Sequence, residues 1–318
     1  MDKILITGGA GFIGSTVNLL LNDVGFETII LDNLSTGSTQ TALKGTLIVG
    51  DLSNRKLLNR IFTEHSILAV MHFAAATSVE ESVKNPASYY QNNVVNTLIL
   101  LEAMKNAHVN SFIFSSSAAV YGIPAGDLLE SSFCSPINPY GESKLIIENV
   151  LKNYRSAYGL ESCSLRYFNA AGGDPLGRLK YRVKKENLIP IILNCLMEHK
   201  PLIINGVDYP THDGTCVRDY IHVSDIGNAH LLALKKLLNG KASLCYNLGN
   251  KQGFSILEVI KAAEAVIGRS LEVVIGSRRQ GDPPTLIANA AKAEKELEWK
   301  PVYPEIKKMI EHAWIACQ

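Results

Sequence analysis

Short apolar runs alternate with longer stretches of helical periodicity through the first half of the chain. Runs that predict strands lie at residues 3–6, 28–31, 47–49, 69–73, 112–114 and 163–166. Stretches that predict helices lie at residues 12–24, 54–65, 88–107 and 140–158. Buried strands separated by helices are typical of a parallel sheet that is covered on both faces. The pattern therefore predicts an α/β fold with a Rossmann-type doubly wound parallel sheet.

The pattern changes after about residue 168, where the chain becomes rich in loops. A helix is predicted at residues 188–197 and a short strand at residues 202–205. We therefore divide the chain into a nucleotide-binding domain at residues 1–168 and a smaller C-terminal substrate-binding lobe at residues 169–318. Two segments of this lobe are candidates for returning to the main sheet, at residues 217–222 and 244–248.

The composition fits a globular protein and argues against several classes of partner. The chain has 318 residues, of which 47% are hydrophobic and 19% are charged, and its net charge is +1. This balance gives no electrostatic basis for binding nucleic acid or an anionic membrane, and no apolar run approaches the ~20 residues of a membrane helix. The N-terminus lacks the basic region of a signal peptide, so we expect a cytoplasmic protein. Six cysteines without a Cys-x-x-Cys pair predict free thiols and no metal site.

Three glycines, each separated by two residues, form the first candidate site. Gly8, Gly11 and Gly14 follow the first predicted strand and lead into the first predicted helix. In this setting glycines let the backbone approach a pyrophosphate, and the helix N-terminus offers free N–H groups to its charge. The spacing is wider than the G-x-G-x-x-G of many dinucleotide sites, and a plain tight turn is the alternative. We predict a dinucleotide site that includes Phe12 and Ile13.

An acidic residue at the end of the second predicted strand indicates which cofactor binds. Asp32 lies 18 residues beyond Gly14, close to the distance of about 20 at which such a carboxylate bonds the adenosine ribose. Its charge repels the 2′-phosphate of NADP, and residues 33–43 contain no Lys or Arg that could bind that phosphate. We therefore predict NAD. Asp51, after the third predicted strand, is a candidate for the adenine side, with a strand-end cap as the alternative.

Tyr140 and Lys144 are four residues apart on a predicted helix, so their side chains share one face. An ammonium group near a phenol favours the phenolate, which lets a tyrosine act as a base below its reference pKa of about 10. Ser117 follows the fifth predicted strand and could bond a reacting oxygen, or it could only satisfy backbone groups there. Beside a dinucleotide, these three residues predict a redox catalyst.

Ordered motifs along nearly the whole chain resemble those of the extended short-chain dehydrogenase/reductase superfamily and, within it, of the UDP-glucose (UDP-galactose) 4-epimerases. The stretch DYPTHDGTCVRDYIHV at residues 208–223 discriminates best, because it is typical of the epimerases and not of the superfamily at large. The other matching motifs lie at residues 7–14, 32–34, 72–75, 89–94, 114–118, 138–141 and 165–169.

The resemblance implies NAD-dependent interconversion of UDP-glucose and UDP-galactose, by reversible oxidation at sugar C4 through a 4-keto intermediate. A UDP-N-acetylglucosamine 4-epimerase, or an enzyme of dual specificity, is the alternative. Tyr140 would take the O4 proton, Ser117 would bond O4, and Lys144 would hold the nicotinamide ribose. The resemblance also implies a homodimer through the helices predicted at residues 88–107 and 140–158.

Further contacts follow from the resemblance alone. Cofactor contacts would include Asn33, Asp51, Leu52, Phe73, Ala74, Ala75, Thr77, Asn92, Ser115, Tyr140, Lys144 and Tyr167. Contacts with a UDP-hexose would include Ser117, Tyr140, Asn169, Asn187, Leu188, Arg218, Arg279, Asp282 and Leu286. The chain departs from many relatives at Thr77, where they carry a Lys, and at Leu286, where those that favour unmodified hexoses often carry a Tyr. Because Leu is smaller than Tyr at position 286, UDP-N-acetylglucosamine remains an alternative substrate.

Rival activities on this scaffold need residues that the chain lacks. A nucleotide-sugar dehydratase usually has Asp-Glu just after the serine, where this chain has Ala118 and Ala119. A decarboxylase acting on UDP-glucuronate would need a further cationic side chain, which we do not identify. A catalytically inactive nucleotide-binding regulator would tend to lose the Tyr or the Lys. The three histidines inside motifs are expected to make structural hydrogen bonds: His72, His212 and His222.

Overall fold

The computed structural model describes residues 2–123, 128–181, 187–240, 244–279 and 282–318. Its strands are β1 (Lys3–Thr7), β2 (Glu27–Asp32), β3 (Thr46–Val49), β4 (Ile67–His72), β5 (Ser111–Ser117), β6 (Glu161–Tyr167), β7 (Asn169–Ala171), β8 (Leu202–Asn205), β9 (Val217–His222), β10 (Leu244–Leu248), β11 (Gly253–Ser255), β12 (Val273–Gly276) and β13 (Thr285–Leu286).

Helices connect most of these strands. They are α1 (Phe12–Asp23), α2 (Arg55–Glu64), α3 (Val79–Lys84), α4 (Pro86–Tyr89), α5 (Asn96–Asn106), α6 (Pro139–Tyr158), α7 (Leu188–Glu198), α8 (Val223–Leu238), α9 (Ile256–Ile267), α10 (Ala291–Leu297) and α11 (Ile306–Cys317). A π-helical segment spans Tyr90–Val95, and short 3-10 helices span Thr39–Thr41 and Ala118–Tyr121. None of the described helices combines the length and apolar character that crossing a bilayer requires.

Seven parallel strands form the main sheet, in the order β10-β6-β5-β4-β1-β2-β3. The side chains of β1 alternate between two cores: Ile4 and Ile6 pack with α1 and α8, and Leu5 packs with α2, α5 and α6. Burial on both faces explains why the central strands β1, β2 and β4 contain unbroken apolar runs. The predicted Rossmann-type sheet is confirmed, and each of the six strands predicted in the first half is present.

The two segments predicted to return to the main sheet differ in outcome. Strand β10 pairs with β6 and extends the sheet, as predicted. The prediction is wrong for β9, which lies in a small separate sheet with β7, β11 and β13. Both segments are largely buried, and only pairing with distant strands decides which sheet each one joins. The domain division at residue 168 stays a prediction.

The helix predicted at residues 88–107 is interrupted. Helix α4 ends at Tyr89, the π-helical segment follows, and α5 begins at Asn96. Asn93 lies in the widened turn, and its amide bonds both backbone groups of Ala76: Oδ1 accepts from the Ala76 N–H at 2.8 Å and Nδ2 donates to the Ala76 carbonyl at 3.0 Å. Such π-bulges are frequent at functional sites.

A buried ion pair joins α6 to the main sheet. The guanidinium of Arg166 donates from Nη2 to Oε2 of Glu148 at 2.5 Å and from Nε to Oε1 at 2.9 Å. Oε1 also accepts from the hydroxyl of Ser116 at 2.5 Å. Arg166 Nη1 donates to the hydroxyl of Tyr121 at 2.9 Å, and that hydroxyl donates to Asn247 at 2.7 Å. The network therefore connects β5, β6, β10 and α6.

We predict that Glu148→Gln lowers the free energy of unfolding by about 3–5 kcal/mol, because it leaves the Arg166 charge buried without its partner. Urea denaturation of the variant and the wild type measures the difference. Glu80→Gln is the matched control, since the Glu80–Lys84 pair at 2.6 Å has both side chains about 70% exposed, and exposed pairs contribute little. Equal stability losses in the two variants would contradict the prediction.

Candidate functional site

The candidate cofactor and catalytic residues lie at one edge of the main sheet. Gly8 follows β1, Asp32 ends β2, Phe73 follows β4, Ser117 ends β5 and Tyr167 ends β6. Because all these strands are parallel, their carboxyl ends meet at the same edge. The strand order reverses between β1 and β4, and ligands of open α/β sheets bind in the crevice at that reversal.

The glycine loop has the shape that a pyrophosphate site requires. Gly8 adopts φ +71°, and a Cβ there would lie 2.5 Å from the backbone N of Ala74. A Cβ at Gly14 would lie 2.3 Å from the carbonyl oxygen of Gly8. Helix α1 begins after Gly11 without a side-chain cap, so its first N–H groups are available to an anion. These features fit the phosphates of a dinucleotide.

Asp32 supports the glycine loop from the end of β2. Its Oδ2 accepts from the N–H of Ala10 at 2.9 Å, and its Oδ1 accepts from the N–H of Leu34 at 2.8 Å. A carboxylate has about four acceptor sites, so these two bonds leave capacity for the hydroxyls of a ribose. The sequence predicted the ribose contact and missed the bond to the loop.

Asp51 makes the bonds of a strand-end cap. Its Oδ1 accepts from the Ser53 N–H at 2.9 Å, and its Oδ2 accepts from the amide of Asn33 at 2.7 Å. Burial raises the pKa of Asp51, but the hydrogen bonds from Ser53 and Asn33 outweigh it, and the net pKa is lowered. Leu52 beside it is buried, with 6% exposure. The contact of these residues with adenine stays a prediction.

Helix α6 carries Tyr140 and Lys144 toward the end of β5. The helix begins with Pro139, and the side chain of Asn138 caps it by accepting from the Gly141 N–H at 2.9 Å. The interaction of Tyr140 with the side chain of Ser117 acts to lower the pKa of the phenol. The Ser117 hydroxyl accepts from the Ala119 N–H at 3.2 Å, so it satisfies a backbone group after β5.

Lys144 is almost fully buried, with 3% exposure. Its Nζ donates to the carbonyl oxygen of Ser115 at 2.7 Å and lies 4.9 Å from the ring centroid of Phe114. The distance from Nζ to the ring centroid of Tyr140 is 5.8 Å. Burial lowers the pKa of Lys144 to about 7, although Glu148 acts to raise it.

The pKa of Tyr140 differs from the expectation. Burial raises it, and only the hydrogen bond from Ser117 acts to lower it. Lys144 was expected to lower the pKa of Tyr140, but this effect does not prevail in the protein alone. The Lys144 side chain is bonded to the Ser115 carbonyl, and removal of the phenol from water disfavours its anion.

Other predicted cofactor residues surround this centre. The hydroxyl of Tyr167 donates to the hydroxyl of Ser115, Phe73 packs against His230 with ring centroids 4.7 Å apart, and Asn92 donates to Asn93 at 3.1 Å. Ala74 and Ala75 follow Phe73 and are half-buried, and Thr77 is exposed.

Two residues without a predicted role, Asn93 and Tyr181, hold these elements together. Asn93 donates to the Ser143 hydroxyl at 3.1 Å, so it links the loop after β4 to α6 beside Lys144. Tyr181 approaches α1 from the C-terminal lobe, with its hydroxyl 2.9 Å from that of Thr16 and its ring edge-on to Phe12 at 5.1 Å. The available signal for the first was its place in the motif at residues 89–94, and the sequence offers none for the second.

Two of the three motif histidines, His72 and His222, make the structural hydrogen bonds that were expected. His72 lies between the hydroxyls of Thr7 at 2.6 Å and Thr97 at 2.9 Å, and burial lowers its pKa to about 3. His222 accepts from the Ser224 N–H at 3.0 Å at the start of α8. His212 lies 3.4 Å from Glu258.

Several candidate substrate residues meet on the small sheet. Arg218 on β9 donates to the Pro283 carbonyl at 2.8 Å and lies 3.5 Å from the carboxylate of Asp282. Leu286 on β13 pairs in register with Arg218. Asn169 opens β7 and donates to the Asp219 carbonyl at 2.8 Å. These four side chains therefore share one end of the lobe.

The remaining candidates are less closely tied to this group. Asn187 is exposed and precedes α7 without capping it, and Leu188 is the first residue of that helix. Arg279 is exposed, and its carbonyl accepts from the Asp282 N–H at 3.4 Å. Gln280 and Gly281, which belong to the same motif, lie outside the described residues.

Comparisons with known proteins agree with this geometry. The sequence profile of the NAD dependent epimerase/dehydratase family matches residues 4–249. The UDP-glucose 4-epimerase of Halalkalibacterium halodurans is 47% identical over 98% of this chain and 94% of its own length. The structure of UDP-glucose 4-epimerase from Brucella ovis in complex with NAD superimposes with a TM-score of 0.96 at 40% identity, covering 100% of this chain and 99% of that one.

A further solved structure, UDP-glucose 4-epimerase from Bifidobacterium longum in complex with NAD⁺ and UDP, has a TM-score of 0.92 at 36% identity and covers 99% of this chain and 98% of that one. Sequence, fold and the glycine loop at the carboxyl edge of the sheet thus lead to one assignment. The chain belongs to the NAD dependent epimerase/dehydratase family.

Proposed function

We infer that this chain interconverts UDP-glucose and UDP-galactose by reversible oxidation at sugar C4, using NAD. The observation that carries the inference is the placement of Tyr140 and Lys144 on α6, with Nζ 5.8 Å from the ring centroid of the phenol and 2.7 Å from the Ser115 carbonyl, at the sheet edge where Ser117 and the glycine loop also lie. The relative from Halalkalibacterium halodurans supports it, since this UDP-glucose 4-epimerase is 47% identical over 98% of the chain.

Inversion at C4 needs a redox route. The hydrogen on C4 is not acidic, because no carbonyl group adjoins that carbon, so direct removal of a proton would be prohibitively slow. Bound NAD supplies a hydride acceptor and the positive charge of its nicotinamide ring. The glycine loop, Asp32, Phe73 and Tyr167 would hold it at the sheet edge, with Lys144 on the nicotinamide ribose.

Tyr140 is the proposed general base. It takes the proton from O4 while C4 gives up its hydride, and it returns that proton when the hydride comes back to the opposite face of the 4-keto sugar. Ser117 bonds O4 during both transfers. Because burial raises the pKa of Tyr140 in the protein alone, we propose that the base form develops only when the cofactor's positive charge lies beside it.

The substrate side must hold UDP firmly and the hexose loosely. We propose that Arg218 and Arg279 bind the diphosphate, since guanidinium groups match its oxygens in geometry and charge. Asp282 would bond the uridine ribose, and Asn169, Asn187 and Leu188 would contact the nucleotide-sugar. A hexose that is attached only through its diphosphate can turn about that bond and offer either face of C4.

The rival activities fit less well. Ala118 and Ala119 form the start of a 3-10 helix after Ser117, where a dehydratase would need acidic side chains. The acetylated substrate is not favoured by the relatives reported above, which are named for UDP-glucose. We retain the cytoplasm as the proposed compartment, in keeping with six free cysteines.

We also propose a homodimer through α5 and α6. In the first of the predicted interface helices, Leu101 is buried against the main sheet and Val94 packs partly on the same core. Val95 is 41% exposed and Tyr158 is 52% exposed, so apolar surface remains on the outer side of these helices. We propose that a second copy of the chain packs on this apolar surface.

Tyr140→Phe should lower kcat for UDP-galactose by about 10²–10⁴-fold, the usual contribution of a general base, while leaving bound NAD and the affinity for UDP nearly unchanged. Steady-state assays and titration with UDP measure the two effects. Tyr158→Phe is the matched control, because its phenol is on the same helix and 52% exposed. A Tyr140→Phe enzyme with the kcat of wild type would refute the proposed base.

For the dimer, we predict that light scattering of the wild type at micromolar concentration gives twice the mass of one chain. Val95→Glu should shift the population toward the monomer, because it introduces a charge into an apolar interface. Val24→Glu, at a site 53% exposed at the end of α1, should not. A monomeric wild type would sink the proposal.

Leu286 is the proposed determinant of selectivity between the two sugars. Leu286→Tyr adds bulk beside the hexose and leaves less space for an acetamido group, so the ratio of kcat/KM for UDP-glucose to that for UDP-N-acetylglucosamine should rise. Coupled assays with both sugars measure the ratio in wild type and variant. Leu238→Tyr, at an exposed position at the end of α8, is the control for the substitution itself. An unchanged ratio would show that Leu286 does not gate the pocket.

A further inference from the structure

A buried carboxylate without a predicted role lies in the centre of the small sheet. Asp219 on β9 has 0% exposure, and three backbone N–H groups donate to it. Its Oδ1 accepts from Asn250 at 2.9 Å, and its Oδ2 accepts from Lys251 at 3.1 Å and from Ala288 at 3.1 Å. Burial raises the pKa of this carboxyl group to about 7, and the three donors act in the opposite direction.

These donors come from two segments that are distant in sequence. Asn250 and Lys251 belong to the turn between β10 and β11, where Lys251 adopts the left-handed φ of +59°. Gly249 precedes them, and a Cβ there would lie 2.6 Å from Oδ2 of Asp219. Ala288 follows β13. The turn is therefore shaped around the carboxylate, which joins it to the segment after β13.

The same residue adjoins three proposed substrate contacts. The carbonyl of Asp219 accepts from the side chain of Asn169 at 2.8 Å. Arg218 precedes it on β9, and Leu286 pairs with Arg218 two residues before Ala288. A shift of the Asp219 carboxylate would move β9 relative to β13 and would release the backbone bond that orients Asn169.

We propose that Asp219 is a positioning residue for the nucleotide-sugar, holding the strands that present Asn169, Arg218 and Leu286. The proposal rests on the proposed function, because those three residues are substrate contacts only if the chain binds a UDP-hexose. The carboxylate itself points to backbone donors, so it acts through its neighbours. Small misplacements of binding groups have large effects on ligand affinity and rate.

The test uses Asp219→Asn in the full-length protein with NAD bound. Either orientation of the amide turns an N–H₂ group toward a backbone N–H, so at least one of the three bonds is lost. We expect KM for UDP-galactose and Kd for UDP to rise about tenfold or more. We expect kcat at saturating substrate and the amount of bound NAD to stay close to wild type, because the cofactor edge is formed by the other sheet.

Two further variants separate positioning from general stability. Asp225→Asn is the matched control, because Asp225 is also fully buried and accepts two backbone N–H groups, from Val302 at 2.8 Å and from Tyr303 at 3.0 Å. It should lower stability without changing KM. Gly249→Ala keeps the carboxylate but crowds it, and should raise KM in the same direction as Asp219→Asn.

The outcomes are distinct. Raised KM and Kd in Asp219→Asn and Gly249→Ala, with Asp225→Asn unaffected, support the proposal. Wild-type KM in Asp219→Asn, or in Gly249→Ala if the first variant does not fold, overturns it, and so does an equal rise in Asp225→Asn. A wild type that neither binds UDP nor converts UDP-galactose would instead overturn the proposed function on which it rests.

Discussion

The buried pair of Arg166 and Glu148 is the constraint on which the arrangement of the site depends. Neither charge can be left alone in the interior, so α6 must lie where its carboxylate meets a guanidinium from β6. Ser116 bonds the same carboxylate and lies between the two serines of the site. Lys144 is four residues before Glu148 on α6, so its direction toward β5 follows from the pair. The ion pair that stabilises the contact of α6 with the sheet therefore also sets the position of Lys144.

The two groups of candidate site residues lie on different sheets. The carboxyl edge of the main sheet carries the glycine loop, Ser117 and Tyr140, next to strands whose side chains pack into two cores. The small sheet carries Arg218 and Leu286, on strands that the carboxylate of Asp219 joins through three backbone bonds. This division suits the inferred reaction, in which one sheet holds the redox centre, the other holds the nucleotide, and the sugar between them turns.

The glycine loop could be predicted from its spacing, which reflects the close approach of backbone atoms at Gly8 and Gly14. Periodicity predicted the main sheet because most of its strands contain a continuous apolar run. It failed where the same pattern permits two structures. The segment of β9 could have joined either sheet. The stretch around Asn93 reads as plain helix, although its side chain bonds Ala76 in the widened turn.

The sequence by itself determined the fold class, the cofactor loop and the candidate catalytic residues, because these depend on local periodicity, on glycine spacing and on residues four apart on one helix. Only the tertiary structure decided how the groups affect one another. Burial, which no local pattern reports, raises the pKa of Tyr140 and lowers that of Lys144. The bonds of Asp219 to Ala288 likewise join residues 69 positions apart, and such contacts exist only after the chain has folded.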